Sequence, residues 1–476
     1  MSVLFLAITA CDTDTEEPNS SVFEFTHVNS GDADFSSYVA MGGSITAGVT
    51  DGSLFIAGQM GSYPNIMASV MSQTETGGAF TQPYVDDNVG GINVGGNQFW
   101  GPRFFFDGAG PAQVSGTPST EATNVVPGPY SNLAFPFASA ISYVAPGVGS
   151  LEGLAAGLAN PWFVRAASNN NASMVGDALT QQPTFVTFEP GNDFFNYALT
   201  GRFVSPLELE GPTGMLAGVV GTLQALSASV PNGVITNLPD PTNTATFNTV
   251  DWNPIPLDAA TAGLLNAQLA APYNGGLAAA QAFGLISAEE VTNRTITFVE
   301  GLNAVTMEDE YLTNLSSLGL PSWRQATMND KIVLPAIGLI GTTVDGNPTQ
   351  INGVSVPLAD GIVLSYDEIA ETQARTVQFN ATIETITAQQ GWALYDAYGI
   401  LNQAVTQGVA FDDYVMTTDL VFGGFFSLDG VHTTARGSAL IANGMMEAID
   451  AHYGSNLSDA AVKAGDYPTN YSPNLR

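Results

Sequence analysis

Ser37-Tyr38-Val39-Ala40-Met41-Gly42-Gly43-Ser44-Ile45-Thr46-Ala47-Gly48 reads as a short strand running into a tight turn. Similar short apolar runs ending in turn chemistry recur at Thr184–Phe188, Gly233–Asn237, Lys331–Leu334 and Trp392–Asp396. Helical stretches lie between them, for example Tyr63–Met71 and Asp367–Gln389. Strands alternating with helices predict an α/β fold, a parallel sheet covered by helices on both faces. Ligands of such sheets sit beyond the carboxyl ends of the strands, and Ser44 falls at such an end. A nucleophilic serine needs its hydroxyl exposed in a tight turn that also aims a backbone N–H at the reacting oxygen. Taken alone, Gly-Gly-Ser reads by default as a plain structural turn.

Two further segments carry chemistry. Glu189-Pro190-Gly191-Asn192-Asp193 follows the run at 184–188, and a side-chain amide at a strand end can donate to an oxyanion. The same residues also make an ordinary Gly-Asn-Asp turn. Ser427-Leu428-Asp429-Gly430-Val431-His432 precedes a helix with Ile441, Met445, Ala448 and Ile449 about one turn apart. Asp-x-x-His puts a carboxylate and an imidazole on one side of a turn, so that the Asp can orient the His as it takes a serine proton. The chain has three histidines. His27 lies in an expected tether and His452 near the end of the last helix, which leaves His432 as the candidate base.

A serine after the first strand, a Gly-Asn-Asp segment in mid-chain and Asp-x-x-His before the last helix resemble, in that order, the SGNH (GDSL-type) hydrolases. Tyr38–Gly48 is similar to that family's first block, Phe425–His432 to its last, and Asp51-Gly52, Ser62-Tyr63-Pro64-Asn65 and Asn443 fit its long, lipoprotein-tethered bacterial members. The resemblance runs from about residue 37 to 455. It implies a three-layer flavodoxin-like sheet with large loop insertions, and a carboxylic-ester hydrolase working through an acyl-enzyme. Carried over by position, Ser44 is the nucleophile, His432 the general base and Asp429 its orienting carboxylate. The oxyanion hole takes the Ser44 backbone N–H and the Asn192 side chain. A third family donor is a glycine N–H in a block beginning with Asn, and Phe137 holds that place in Asn132–Ala138. Gly43, Phe137, Pro190 and Thr433 all depart from the family pattern. Losing one oxyanion donor costs ~10²–10³ in rate, so a catalytically weakened surface lipoprotein that binds glycan or lipid stands as the alternative. A binder would not need Ser44 and His432 within hydrogen-bond reach.

Composition bounds the partners. Ten Lys+Arg against 44 Asp+Glu give a formal net charge of -34, which repels phosphate backbones and anionic membranes and disfavours nucleic acid. The same acidity suits a protein adapted to high salt or an ordinary secreted protein. The single cysteine, Cys11, allows no intramolecular disulfide. It follows the apolar run Val3–Ile8, and Ile8-Thr9-Ala10-Cys11 resembles a lipobox. Residues 1–11 are thus expected to be a lipoprotein signal, though the basic n-region is missing, the first Lys or Arg being Arg103. Residues 12–36 are expected to be an acidic flexible tether. Residues 37–476 are expected to form one hydrolase-like domain with insertions at about 77–127 and 239–328. The reading predicts an exported lipoprotein at the outer membrane or cell surface of a Gram-negative bacterium, in contact with the membrane through lipid alone. Its substrate would be a small-molecule, glycan or lipid ester. No cofactor and no metal are expected, since His and Cys are scarce and pairs such as Asp86-Asp87 read as solvated loops.

Overall fold

The computed structural model describes residues 27–126, 128–190, 193, 211 and 214–475. Five strands form an all-parallel central sheet: β1 (Tyr38–Gly42), β2 (Asn132–Ala134), β3 (Phe185–Glu189), β4 (Asn232–Thr236) and β5 (Ala393–Tyr395). Their spatial order is β2-β1-β3-β4-β5, the flavodoxin-like order 2-1-3-4-5. All five residues of β1 are buried, as a strand paired on both edges and covered on both faces requires. Tyr38 pairs with Phe185, Val39 with Val186 and Ala40 with both Thr187 and Asn132.

Alternation along the strands feeds two cores. Val39, Met41, Val186, Phe188 and Ile235 pack with α3 (Ala140–Val144), α4 (Met174–Thr180), α5 (Met215–Ser227) and Phe379 and Ile383 of α6 (Tyr366–Gln390). Tyr38, Ala40, Phe185 and Val234 face the opposite layer, where α2 (Tyr63–Met71) and α7 (Ala435–Tyr453) contribute Ile66, Met67, Met445 and Ile449. α3 and α5 approach so closely that a Cβ on Gly218 would lie 2.3 Å from the Ala140 carbonyl carbon. Glycine there is a packing requirement.

The helices at 63–71 and 367–389 form where expected. α6 starts at a full capping box, Ser365 with Glu368, and stops at Gly391 with φ 69°. Three expectations change. Lys331-Ile332 is no central strand but pairs antiparallel with Val363-Leu364. The run finds its partner strand within the insertion, where Ile332 and Val363 are buried in that segment's own apolar core. It belongs to the second insertion, which continues past Met328 to about Leu364 around its own core of Phe247, Tyr273, Phe298, Met307, Ile332 and Leu358. The expected tether is folded by residue 28: Val28 and Phe35 are buried, Phe35 packs edge-on to Phe185, and the Asp32 N–H reaches Tyr453 O at 2.8 Å. The apolar Phe35 explains the difference, since its burial in the sheet's core outweighs the polar residues around it.

The first insertion folds as two hairpins, Ile92–Val94 with Asn97–Trp100 and Phe104–Phe106 with Pro111–Gln113. Asp86 and Asp87, which belong to it, are both held by partners. Asp86 pairs with Arg165 at 3.2 Å, and Asp87 accepts from the Gly90 and Ser119 N–H groups. Among the described residues no helix is long and apolar enough to cross a membrane.

Candidate active site

Ser44 opens a one-turn helix, α1 (Ser44–Ala47), directly beyond the carboxyl end of β1. The chain must fold back sharply there, and a Cβ on Gly42 would fall 2.2 Å from Thr46 Oγ1. The turn is braced from both neighbouring strands. Glu189, at the end of β3, accepts from the Gly43 N–H and the Thr46 hydroxyl, each at 3.3 Å. Asn132, at the start of β2, donates from Nδ2 to Thr46 O at 3.1 Å. Ser44 itself stays half-buried.

The partner loop arrives from the far end of the chain. Thr434 caps α7 by accepting from the Gly437 N–H at 2.9 Å, which sets where the helix begins. Immediately before it, Asp429 Oδ1 accepts from the backbone N–H groups of Val431 and His432, each at 2.8 Å. Gly430 takes φ 74°, and a Cβ there would sit 2.8 Å from Thr246 N. Asp429 Oδ2 is then free to face His432 Nδ1 at 2.8 Å, and it also accepts from the Gly52 N–H at 2.7 Å. On the other side of the ring, His432 Nε2 lies 2.8 Å from Ser44 Oγ. Carboxylate, imidazole and hydroxyl stand in line.

Burial raises the pKa of Asp429, but the charge of His432 and hydrogen bonds from His432 and Val431 outweigh it and leave the pKa below the ordinary value. The group stays ionised at neutral pH, the state in which it can hold the imidazole.

Of the expected site residues, Ser44, Asp429 and His432 are brought together. Asn192 and Cys11 lie outside the described residues. Asp193, one residue on, is tied by the Ala140 N–H at 2.6 Å and anchors the start of α3. His452 Nε2 is 2.8 Å from Gly391 O and takes no part in the triad. Thr433, where the family pattern has proline, bonds its hydroxyl to Ser438 at 2.8 Å and ties the loop to α7.

Phe137 carries φ 62°, the left-handed conformation that glycine adopts without strain. The backbone at this position therefore keeps the shape of a glycine site although the residue is phenylalanine. The ring is 48% exposed and packs on Trp100 at 4.6 Å and Phe99 at 6.0 Å. Relief of left-handed strain, ~1–2 kcal/mol, offsets part of the loss of these ring contacts, ~0.5–1.5 kcal/mol each, and of the ring's buried apolar surface. Phe137→Gly should thus lower Tm modestly while raising hydrolysis of a small p-nitrophenyl ester. Activity equal to or below wild type would show that the ring does not obstruct the backbone donor.

Asp51 is a site residue whose role the sequence reading missed, although Asp51-Gly52 was part of the resemblance. Its N–H donates to Ser427 Oγ at 2.9 Å, and its Oδ1 accepts from the Leu428 N–H at 3.2 Å. It thereby pins the loop that carries Asp429 and His432 to the serine turn. Its Oδ2 is buried without a hydrogen-bond partner. Burial first, and then the Asp429 charge, push its pKa up to about 7, against the Leu428 N–H and the Arg103 charge. An acid with a raised folded-state pKa binds its proton more tightly folded than unfolded. Stability must then fall as pH rises from the ordinary carboxylate value towards 7. Asp51→Asn is expected to flatten that part of the Tm-against-pH curve, most visibly as a gain over wild type above pH 7. Parallel curves for the two proteins would remove Asp51 as the source.

Comparison of the chain with family models, with curated proteins and with solved structures finds no match in any of the three.

Proposed function

We propose that the protein is a serine ester hydrolase of SGNH type, with Ser44 as nucleophile, His432 as general base and Asp429 as the residue that orients it. The observation that carries this reading is the chain of two 2.8 Å contacts from Asp429 through His432 to Ser44 Oγ. A hydroxyl hydrogen-bonded to an imidazole, itself held by an ionised carboxylate, is the arrangement that activates a serine. His432 Nε2 takes the Ser44 proton as Oγ attacks the ester carbonyl. It then passes that proton to the leaving alcohol, and water releases the acid by the reverse steps. The oxyanion is assigned to the Ser44 N–H and the Asn192 amide, with the Phe137 N–H as the third donor. The contact between Ser44 and His432 favours catalysis over the alternative of a non-catalytic binder, which has no use for it.

Residues adjoining the nucleophile and the base, Ile45 and Val431, line an apolar cavity with Tyr63, Phe426, Ile441 and Met445. The cavity holds about 60 Å³, so that lining suits a short hydrocarbon group such as the methyl of an acetyl ester. A panel of p-nitrophenyl esters of increasing acyl length, read together with labelling by a fluorophosphonate, tests the assignment. Turnover without any labelling would place the chemistry elsewhere. Cys11 is proposed to carry lipid and hold the protein at a bacterial outer membrane or cell surface. Cys11→Ser should move the full-length chain from the detergent phase to the aqueous phase.

A further inference from the structure

Far from Ser44 in sequence, three carboxylates converge where the second insertion meets the central layers. Glu310 follows the strand Thr306–Glu308, Asp360 lies just beyond Leu358, whose carbonyl accepts from the Glu308 N–H, and Glu368 sits in the first turn of α6. One oxygen from each lies within 4.8 Å of the others. A cation bound at ~2.3–2.6 Å from each oxygen spans separations of that size.

The buried oxygens supply the second observation. Glu368 is 1% exposed, and its two oxygens have different fates. Oε2 accepts from the Ser365 N–H at 2.7 Å to close the capping box. Oε1 is fully buried without a hydrogen-bond partner, and so is Asp360 Oδ1. One turn further along the same helix face, the buried Thr372 hydroxyl is also unpartnered. Buried anionic oxygens without donors are costly unless a positive charge meets them. Arg324, the buried cation of this region, is already engaged by Asp309 at 2.5 Å and Asp330 at 2.7 Å. Three carboxylates this close, two of them with buried oxygens that no donor meets, repel one another unless a positive charge lies between them.

We propose that Glu310, Asp360 and Glu368 form a calcium site that fastens the second insertion to the first turn of α6. All-oxygen, carboxylate-rich ligation selects a hard cation. Three carboxylates of unequal exposure suit the flexible coordination of Ca²⁺ better than the strict, water-rich octahedron of Mg²⁺. Glu310 is exposed and leaves an approach from solvent. The site is independent of the hydrolase reading.

The test uses the full chain, stripped with a chelator, desalted and titrated with CaCl₂ at constant ionic strength. A saturable rise in Tm of ~3 °C is expected, with a smaller response to MgCl₂. Glu368→Gln keeps the capping bond, since Gln serves at that helix position as well as Glu, and Glu310→Gln changes an exposed side chain. Both should fold and both should lose the Ca²⁺ response. No saturable shift in wild type, or a shift that survives in both variants, would overturn the proposal.

Discussion

Ser44→Ala is expected to lower kcat for ester hydrolysis by about 10⁴–10⁶-fold and to abolish fluorophosphonate labelling. Tm should hardly move. The substitution removes one half-buried hydroxyl that is hydrogen-bonded to His432 Nε2 at 2.8 Å. The features that form the turn, Gly42 beneath Thr46 and the Glu189 and Asn132 braces, do not involve the Ser44 side chain. A change confined to the reacting atom separates chemistry from folding, because a residue that merely closed the turn would cost stability instead. Measured kcat, probe labelling and Tm on the same preparation check all three statements. A variant that still hydrolyses esters at the wild-type rate would end the assignment of Ser44 as nucleophile.

Asp429→Asn should lower kcat by about 10⁴-fold with a much smaller change in KM. The ionised carboxylate accepts five hydrogen bonds here: the Ser427 hydroxyl and the Val431 and His432 N–H groups on Oδ1, and the Gly52 N–H and the His432 ring on Oδ2. An asparagine offers one oxygen. If that oxygen stays on the two loop amides, its NH₂ group faces the Gly52 N–H, donor against donor. The NH₂ also donates to His432 Nδ1, which shifts the ring proton to Nε2. That tautomer cannot accept a proton from Ser44. The Gly52 conflict should cost ~1–3 kcal/mol of stability in addition. Because Asp429 is held below the ordinary carboxylate pKa, its stabilising contribution is present above that value. It is lost as pH falls through the depressed one. The Tm gap between wild type and Asp429→Asn should therefore narrow in acid. Nitrogen NMR of the imidazole reads the tautomer directly, and a variant with Nδ1 still protonated and full activity would contradict the argument.

How much was legible depended on how local each signal is. β1, β3, β4 and β5 were readable because each is an apolar run ended by turn residues, and α2 and α6 because their patterns and caps are written within a few residues. β2 was not. Asn132–Ala134 is three residues long and has no periodicity to detect, and it is a strand because β1 offers it a free edge. Lys331–Leu334 carried the same apolar signal as the true strands, yet its partner Val363-Leu364 lies inside the insertion. Composition cannot tell which of two cores will bury such a run. In the site, Ser44, Asp429 and His432 were nameable from motif and order. The service of Asp51, Glu189 and Asn132 as braces was not, since each is one polar residue whose contacts lie far along the chain.

The sequence by itself determined the class of fold, through apolar runs that must be covered on both faces, and its motifs, by their resemblance and order, named Ser44, Asp429 and His432 as candidates. Its acidity and its single cysteine followed from composition alone. Tertiary structure decided the strand order, the left-handed backbone at Phe137 and the second insertion's own core. It also decided the 2.8 Å contact between Ser44 and His432, which stand 388 residues apart. Local pattern encodes burial and period, because these depend on neighbours along the chain. Which distant segments meet depends on which pairing buries the most apolar surface and satisfies the most backbone groups, and that choice exists only once the whole chain is packed.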